Sequence, residues 1–114
     1  MSASVIDLSV YQELKDNTGA DFIVELIDTF LDDTPRQIQE MRRALPAGDT
    51  ETFRRAAHSL KSNSATFGAR HLSELARELE MLAKENQLGQ VGERIAAVDD
   101  EYTRVAKDLT DLKT

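Results

Sequence analysis

The chain has 114 residues with two prolines, five glycines, no cysteine and a formal charge of −7. This is enough for one modest core, in a single domain expected to span 1–114, and abundant Leu, Ala, Glu and Arg favour an all-α fold. Without cysteine there is no disulfide or thiolate chemistry, no apolar run approaches the ~18 residues of a membrane span, and the acidic balance argues against nucleic acid or anionic membrane as main partner.

Residues 1–8 read as a loose lead-in, with Ile6 and Leu8 covering an edge of the core. Ser9 and Gln12 have the spacing of a capping box, which predicts a short helix over 10–15 with Tyr11 and Leu14 inward. Asn17-Thr18-Gly19 should end it. A long helix is predicted over 20–45, its apolar stripe built from Phe22, Ile23, Leu26, Ile27, Phe30, Leu31, Ile38, Met41 and Leu45. The stripe has one gap, at Pro35, where a backbone donor is missing and the ring crowds the Leu31 carbonyl. Thr34 and Gln37 are placed to recap a second segment, so a kinked helix is expected rather than two independent ones.

Pro46-Ala47-Gly48 should close that helix, and Asp49 or Thr50 should cap the next, over 50–67. Gly68 stands where a left-handed residue would terminate it. The helix over 69–85 buries Leu72, Leu75, Ala76, Leu79 and Leu82, and a turn at 86–89 leads to the last helix, over 90–112. There Val91, Ile95, Val98, Tyr102, Val105, Leu109 and Leu112 alternate in spacings of four and three, the mark of a bundle seam. Four amphipathic helices joined by short turns predict an antiparallel four-helix bundle, with the short N-terminal helix across one end or flank.

The stretch Phe53–Gly68, FRRAAHSLKSNSATFG, carries the candidate chemistry. With about 100° per residue, Phe53, Leu60, Ser64 and Phe67 share one side, flanked by Ala56 and Ala57, and His58 points the other way. Arg54, Arg55 and Lys61 surround His58, Ser62 and Ala65 keep its approach low, and no carboxylate occurs between Thr52 and Leu72. Such a patch is either a solvated basic face or a place where a phosphoryl group on the imidazole would be welcomed.

The run AHSLKSNSATFGARHLSELARELE resembles the signature of histidine-containing phosphotransfer (HPt) domains. Ala57, His58, Leu60, Lys61, Gly68, Ala69, Leu72, Leu75, Leu79 and Glu80 stand in register with it, while Ser62 replaces the glycine usual after the lysine. The resemblance implies that His58 is the phosphoacceptor and that Lys61 neutralises the phosphate. Glu80 falls where the family has Gln or Glu, and it either hydrogen-bonds Nδ1 of His58, leaving Nε2 as nucleophile, or is a solvated helix residue. Arg54, Arg55, Ser62, Ala65 and Lys84 are the expected partner-binding residues.

The function so implied is a phosphoryl carrier between receiver-domain aspartates in a multi-step phosphorelay. The expected partners are response-regulator receivers or a hybrid sensor kinase, docking over His58 and the N-terminal helix. No cofactor is expected on this chain, with Mg²⁺ on the receiver, no ATP site, and a monomer located in the cytoplasm. The rival readings are a helical adaptor that binds a receiver or kinase without taking phosphate, and a plain self-associating bundle. His71 reads as an ordinary polar residue and Tyr102 as core. Neither Asp32-Asp33 nor His58 has the neighbours of a metal site.

Overall fold

The computed structural model describes residues 4–113, which form five α-helices and one short 3₁₀ turn. The helices are α1 (Leu8–Thr18), α2 (Ala20–Ala47), α3 (Thr50–Thr66), α4 (Arg70–Lys84) and α5 (Arg94–Lys113). Helices α2 to α5 each pack on two others in cyclic order, closing a four-helix bundle, and α1 lies against α2 and α3. The predicted stripes converge in one core that includes Ile23, Ile27, Met41, Phe53, Leu60, Leu72, Leu79, Val98 and Leu109.

The N-terminal region differs from expectation. Residues 1–3 lie outside the described part, but residues 4–7 are tied down. The Ser4 hydroxyl and Val5 N–H both donate to Asp108 Oδ2, at 3.0 and 2.9 Å, and Ile6 is buried. Leu8 does not cover the core; it is among the exposed large hydrophobic residues. The Ser9–Gln12 capping box does not form. Asp7 caps α1 instead, its Oδ1 accepting from the Ser9 and Val10 N–H groups, so the helix starts earlier and runs to Thr18. Gln12 donates to Asp16 on the outer face. Tyr11 is buried as expected, Leu14 half-buried.

Helix α2 is continuous through Pro35, and the recapping by Thr34 and Gln37 is absent, since both lie inside the helix. The single helix expected over this stretch is observed, and the backbone partner lost at Pro35 is supplied from another helix. Pro35 has no N–H for the Leu31 carbonyl, and the Tyr102 hydroxyl of α5 donates to that oxygen at 3.2 Å. An orphan acceptor in α2 thus becomes a tie between helices far apart in sequence. Phe22, read as part of the buried stripe, is instead 49% exposed near the helix start. Gly48, in the left-handed region at φ 67°, ends the helix.

Asp49 caps α3 through the Thr52 N–H. At the far end Gly68 has φ 80°, and the Asp7 N–H donates to its carbonyl at 2.8 Å. A Cβ at Gly68 would lie 2.8 Å from the Asp7 carbonyl oxygen, so α1 can approach the α3–α4 turn because there is no side chain there. The last helix begins later than its heptad spacing predicts. Residues 88–90 form the 3₁₀ turn, Gly92 takes φ 55°, and Val91 is buried from this connection rather than from α5.

Candidate functional site

Helix α3 sorts its side chains as its periodicity predicts. Phe53, Ala56, Ala57, Leu60 and Ser64 are buried, and the His58 side chain is 54% exposed on the opposite face. Ser62 and Ala65 are exposed beyond it and leave its approach low. The carboxylate missing from the local sequence arrives from α4. Glu80 has a side chain only 3% exposed, and its Oε2 lies 2.7 Å from His58 Nδ1. Its other oxygen, Oε1, accepts from Lys61 Nζ at 2.7 Å. Of the two readings of Glu80, the structure has the buried bridge and not the solvated residue.

Burial pushes the Glu80 carboxyl up, but the hydrogen bonds and charges of Lys61 and His58 more than reverse this and hold it below the ordinary carboxylate range. An ionised carboxylate can only accept hydrogen bonds. Nδ1 of His58 therefore carries the proton in this contact, and in the neutral ring Nε2 holds the free lone pair. A buried acid thereby sets the tautomer of an exposed imidazole.

The remaining cations are less free than the sequence suggests. Glu51, one turn before Arg54 and Arg55, engages both. It accepts from Arg54 at 2.6 and 3.2 Å and lies 3.6 Å from Arg55 Nε. Arg54 also feels the charge of Glu80 across the helix pair. Lys84, one turn beyond Glu80 on α4, stands 3.8 Å from Glu80 Oε2. The flank thus gathers His58, Arg54, Arg55, Lys61 and Lys84 around two carboxylates, Glu51 and Glu80, and retains excess positive charge. His71 is exposed in the first turn of α4 and takes no part.

Sequence reasoning missed two contributors. Glu51 lay just outside the carboxylate-free window, although its spacing of three and four to the arginines is that of helix ion pairs. Ser73 of α4 donates from its hydroxyl to the Lys61 carbonyl at 2.9 Å, a contact across helices that no local spacing signals. Among the described residues, no three acidic or histidine side chains are grouped to hold a metal ion, and no helix is long and apolar enough to cross a membrane.

A four-helix bundle that presents one oriented, accessible imidazole on its flank defines a histidine-presenting helical module. The chain belongs to the Hpt domain family, whose model matches residues 25–108. It is 30% identical over 92 residues to the phosphorelay protein LuxU of Vibrio harveyi, covering 81% of each chain. Histidine-containing phosphotransfer protein 2 of Arabidopsis thaliana is 26% identical over 104 residues, covering 89% of this chain and 67% of that one. The crystal structure of histidine-containing phosphotransfer protein B from Pseudomonas aeruginosa PAO1 matches with a TM-score of 0.90 and 29% identity, over 98% of this chain and 96% of that one.

Proposed function

We propose that Nε2 of His58 is the atom that carries the phosphoryl group in a multi-step phosphorelay. Its lone pair attacks the phosphorus of an aspartyl phosphate on a receiver domain, the N–P bond forms, and the P–O bond to the aspartate breaks. The carboxylate leaves with its electron pair. The ring keeps its proton on Nδ1, where Glu80 stabilises the positive charge that phosphorylation leaves on the imidazole. Transfer to a second receiver reverses these steps.

The observation that carries this reading is the division of labour at His58, with Nδ1 held by a buried carboxylate and the ring otherwise open to solvent. Charge supports it too. A phosphoryl group brings roughly two negative charges, and Lys61, Lys84 and the two arginines outnumber the nearby carboxylates. Lys61 needs only to turn from Glu80 Oε1 towards the incoming oxygens. Such a transfer asks for positioning and charge neutralisation rather than further covalent help.

Arg54, Arg55, Ser62, Ala65 and Lys84 border the approach to the ring and form the receiver-binding surface in this reading. The chain acts as a monomeric cytoplasmic carrier, without nucleotide or metal of its own, and Mg²⁺ sits on the receiver. The test is incubation with phosphorylated receivers from the same organism. The wild-type chain should gain an acid-labile, base-stable phosphate, and His58→Gln should gain none while keeping its helical spectrum. Failure of the wild type to accept phosphate from any receiver would support a non-phosphorylated adaptor and overturn the proposal.

A further inference from the structure

His58 and Lys61 belong to α3, whereas Glu80 belongs to α4, so the site exists only at one axial position of α4 along α3. Sliding one helix by a single residue moves its side chains about 1.5 Å. A hydrogen bond of 2.7 Å tolerates only a few tenths of an ångström before it weakens, since good N–H···O contacts end near ~3.2 Å. Apolar packing brings the two helices to their general register, through Phe53, Leu60, Leu72 and Leu79 beside the smaller Ala56, Ala57, Ala76 and Ala83. A directional hydrogen bond between them constrains the height more tightly than non-directional burial does.

We propose that Ser73 is a positioning residue for the phosphoacceptor: its hydroxyl, bonded to the Lys61 carbonyl, sets the height at which Glu80 meets His58. The bond is 2.9 Å long and half-buried, and it joins the α4 side chain to the α3 backbone one turn from His58. Ser73 and Glu80 are seven residues apart, about 20° short of two full turns, so both face α3 from the same side of α4. Through the reaction Glu80 keeps only its hydrogen bond to His58. In the functional reading above, on which the catalytic part of this inference rests, Lys61 leaves Oε1 when phosphate arrives. The contact from Ser73 is made to the peptide carbonyl and is untouched by that exchange.

The test uses the full chain with Ser73→Ala and Ser73→Thr. Alanine favours helix more than serine does, so the first variant should fold, and threonine retains the hydroxyl. By NMR at neutral pH, the Nδ1–H resonance of His58 should be sharp in the wild type and in Ser73→Thr, and broadened by faster solvent exchange in Ser73→Ala. The phosphotransfer rate at saturating phosphorylated receiver should fall roughly tenfold in Ser73→Ala, with little change in the receiver concentration giving half-maximal rate. Ser73→Thr should restore it. If Ser73→Ala keeps the sharp Nδ1–H signal and the wild-type rate, the inference is wrong, whatever its melting temperature. The resonance is read without phosphate, so it decides the role of Ser73 even if the wild type were to take no phosphoryl group.

Discussion

Glu80 bridges His58 and Lys61 from beneath, with one carboxylate oxygen 2.7 Å from Nδ1 and the other 2.7 Å from Nζ. Orientation and charge supply can therefore be separated by substitution. Glu80→Gln keeps an acceptor for Nδ1 and loses the charge, whereas Glu80→Ala loses both. Phosphotransfer should fall in the order wild type, Gln, Ala, with the alanine variant slower by roughly tenfold or more. Single-turnover transfer from a phosphorylated receiver measures this. Equal rates for all three would remove Glu80 from the mechanism.

The same carboxylate should leave a mark on acid stability. Its folded-state pKa is depressed, because hydrogen bonds from Lys61 and His58 outweigh its burial. As pH falls, the unfolded chain protonates first. The contribution of Glu80 is thus complete above the unfolded range near ~4.3 and is lost as pH drops through the lower folded value. Urea midpoints measured from neutral pH down should decline below about pH 4.3 more steeply in wild type than in Glu80→Gln. Parallel declines would contradict the assignment.

Lys61 is 28% exposed and paired with the buried Glu80. Lys61→Ala should still fold, with lower stability because buried Glu80 loses a partner, and should transfer phosphate about tenfold more slowly and lose its phosphohistidine faster, since a charge-assisted contact to the phosphate is missing. The half-life of the phosphorylated chain in the absence of receiver reports this directly. An unchanged half-life would show that Lys61 does not touch the phosphate.

Tyr102 supplies the partner that Pro35 denies to the Leu31 carbonyl. Tyr102→Phe should cost about 1 kcal/mol, the net worth of a hydrogen bond plus part of the penalty for an unsatisfied acceptor. In a Pro35→Ala background, where the α2 ladder can close locally, the same substitution should cost less. A double-mutant cycle with no coupling between positions 35 and 102 would refute this account of how α2 stays continuous.

Gly68 combines positive φ with a carbonyl at 2.8 Å from where a Cβ would stand. Gly68→Ala should destabilise the chain by about 2 kcal/mol or more, through backbone strain and displacement of the Asp7 segment. Because α1 packs on α3 next to this turn, amide exchange in α1 should rise most. Wild-type protection in α1 would mean that the turn absorbs the change locally.

The helices, their buried faces and the outward direction of His58 were legible in the chain because they depend on period and local punctuation. Phe53, Leu60 and Leu79 fall inward from spacing alone, and Gly48 and Gly68 stop helices for reasons internal to one residue. The errors came where a distant or overlooked partner competes with a local signal. Asp7 outdid the Ser9–Gln12 box as a cap, Glu51 drew in the arginines, and Thr34 and Gln37 stayed inside α2 without recapping it, while Tyr102 served the carbonyl that Pro35 leaves without a donor.

What this sequence determined by itself is a set of amphipathic helices, one of which presents a histidine beside a lysine on its wet face. Helical periodicity is enough for that, since side chains three and four apart must share a surface. Which carboxylate meets that histidine was decided only when α4 came to rest on α3. The distance from Glu80 to Nδ1 depends on the relative height of two helices, and that height is a property of their packing and of contacts such as Ser73 to Lys61, which neither helix encodes alone.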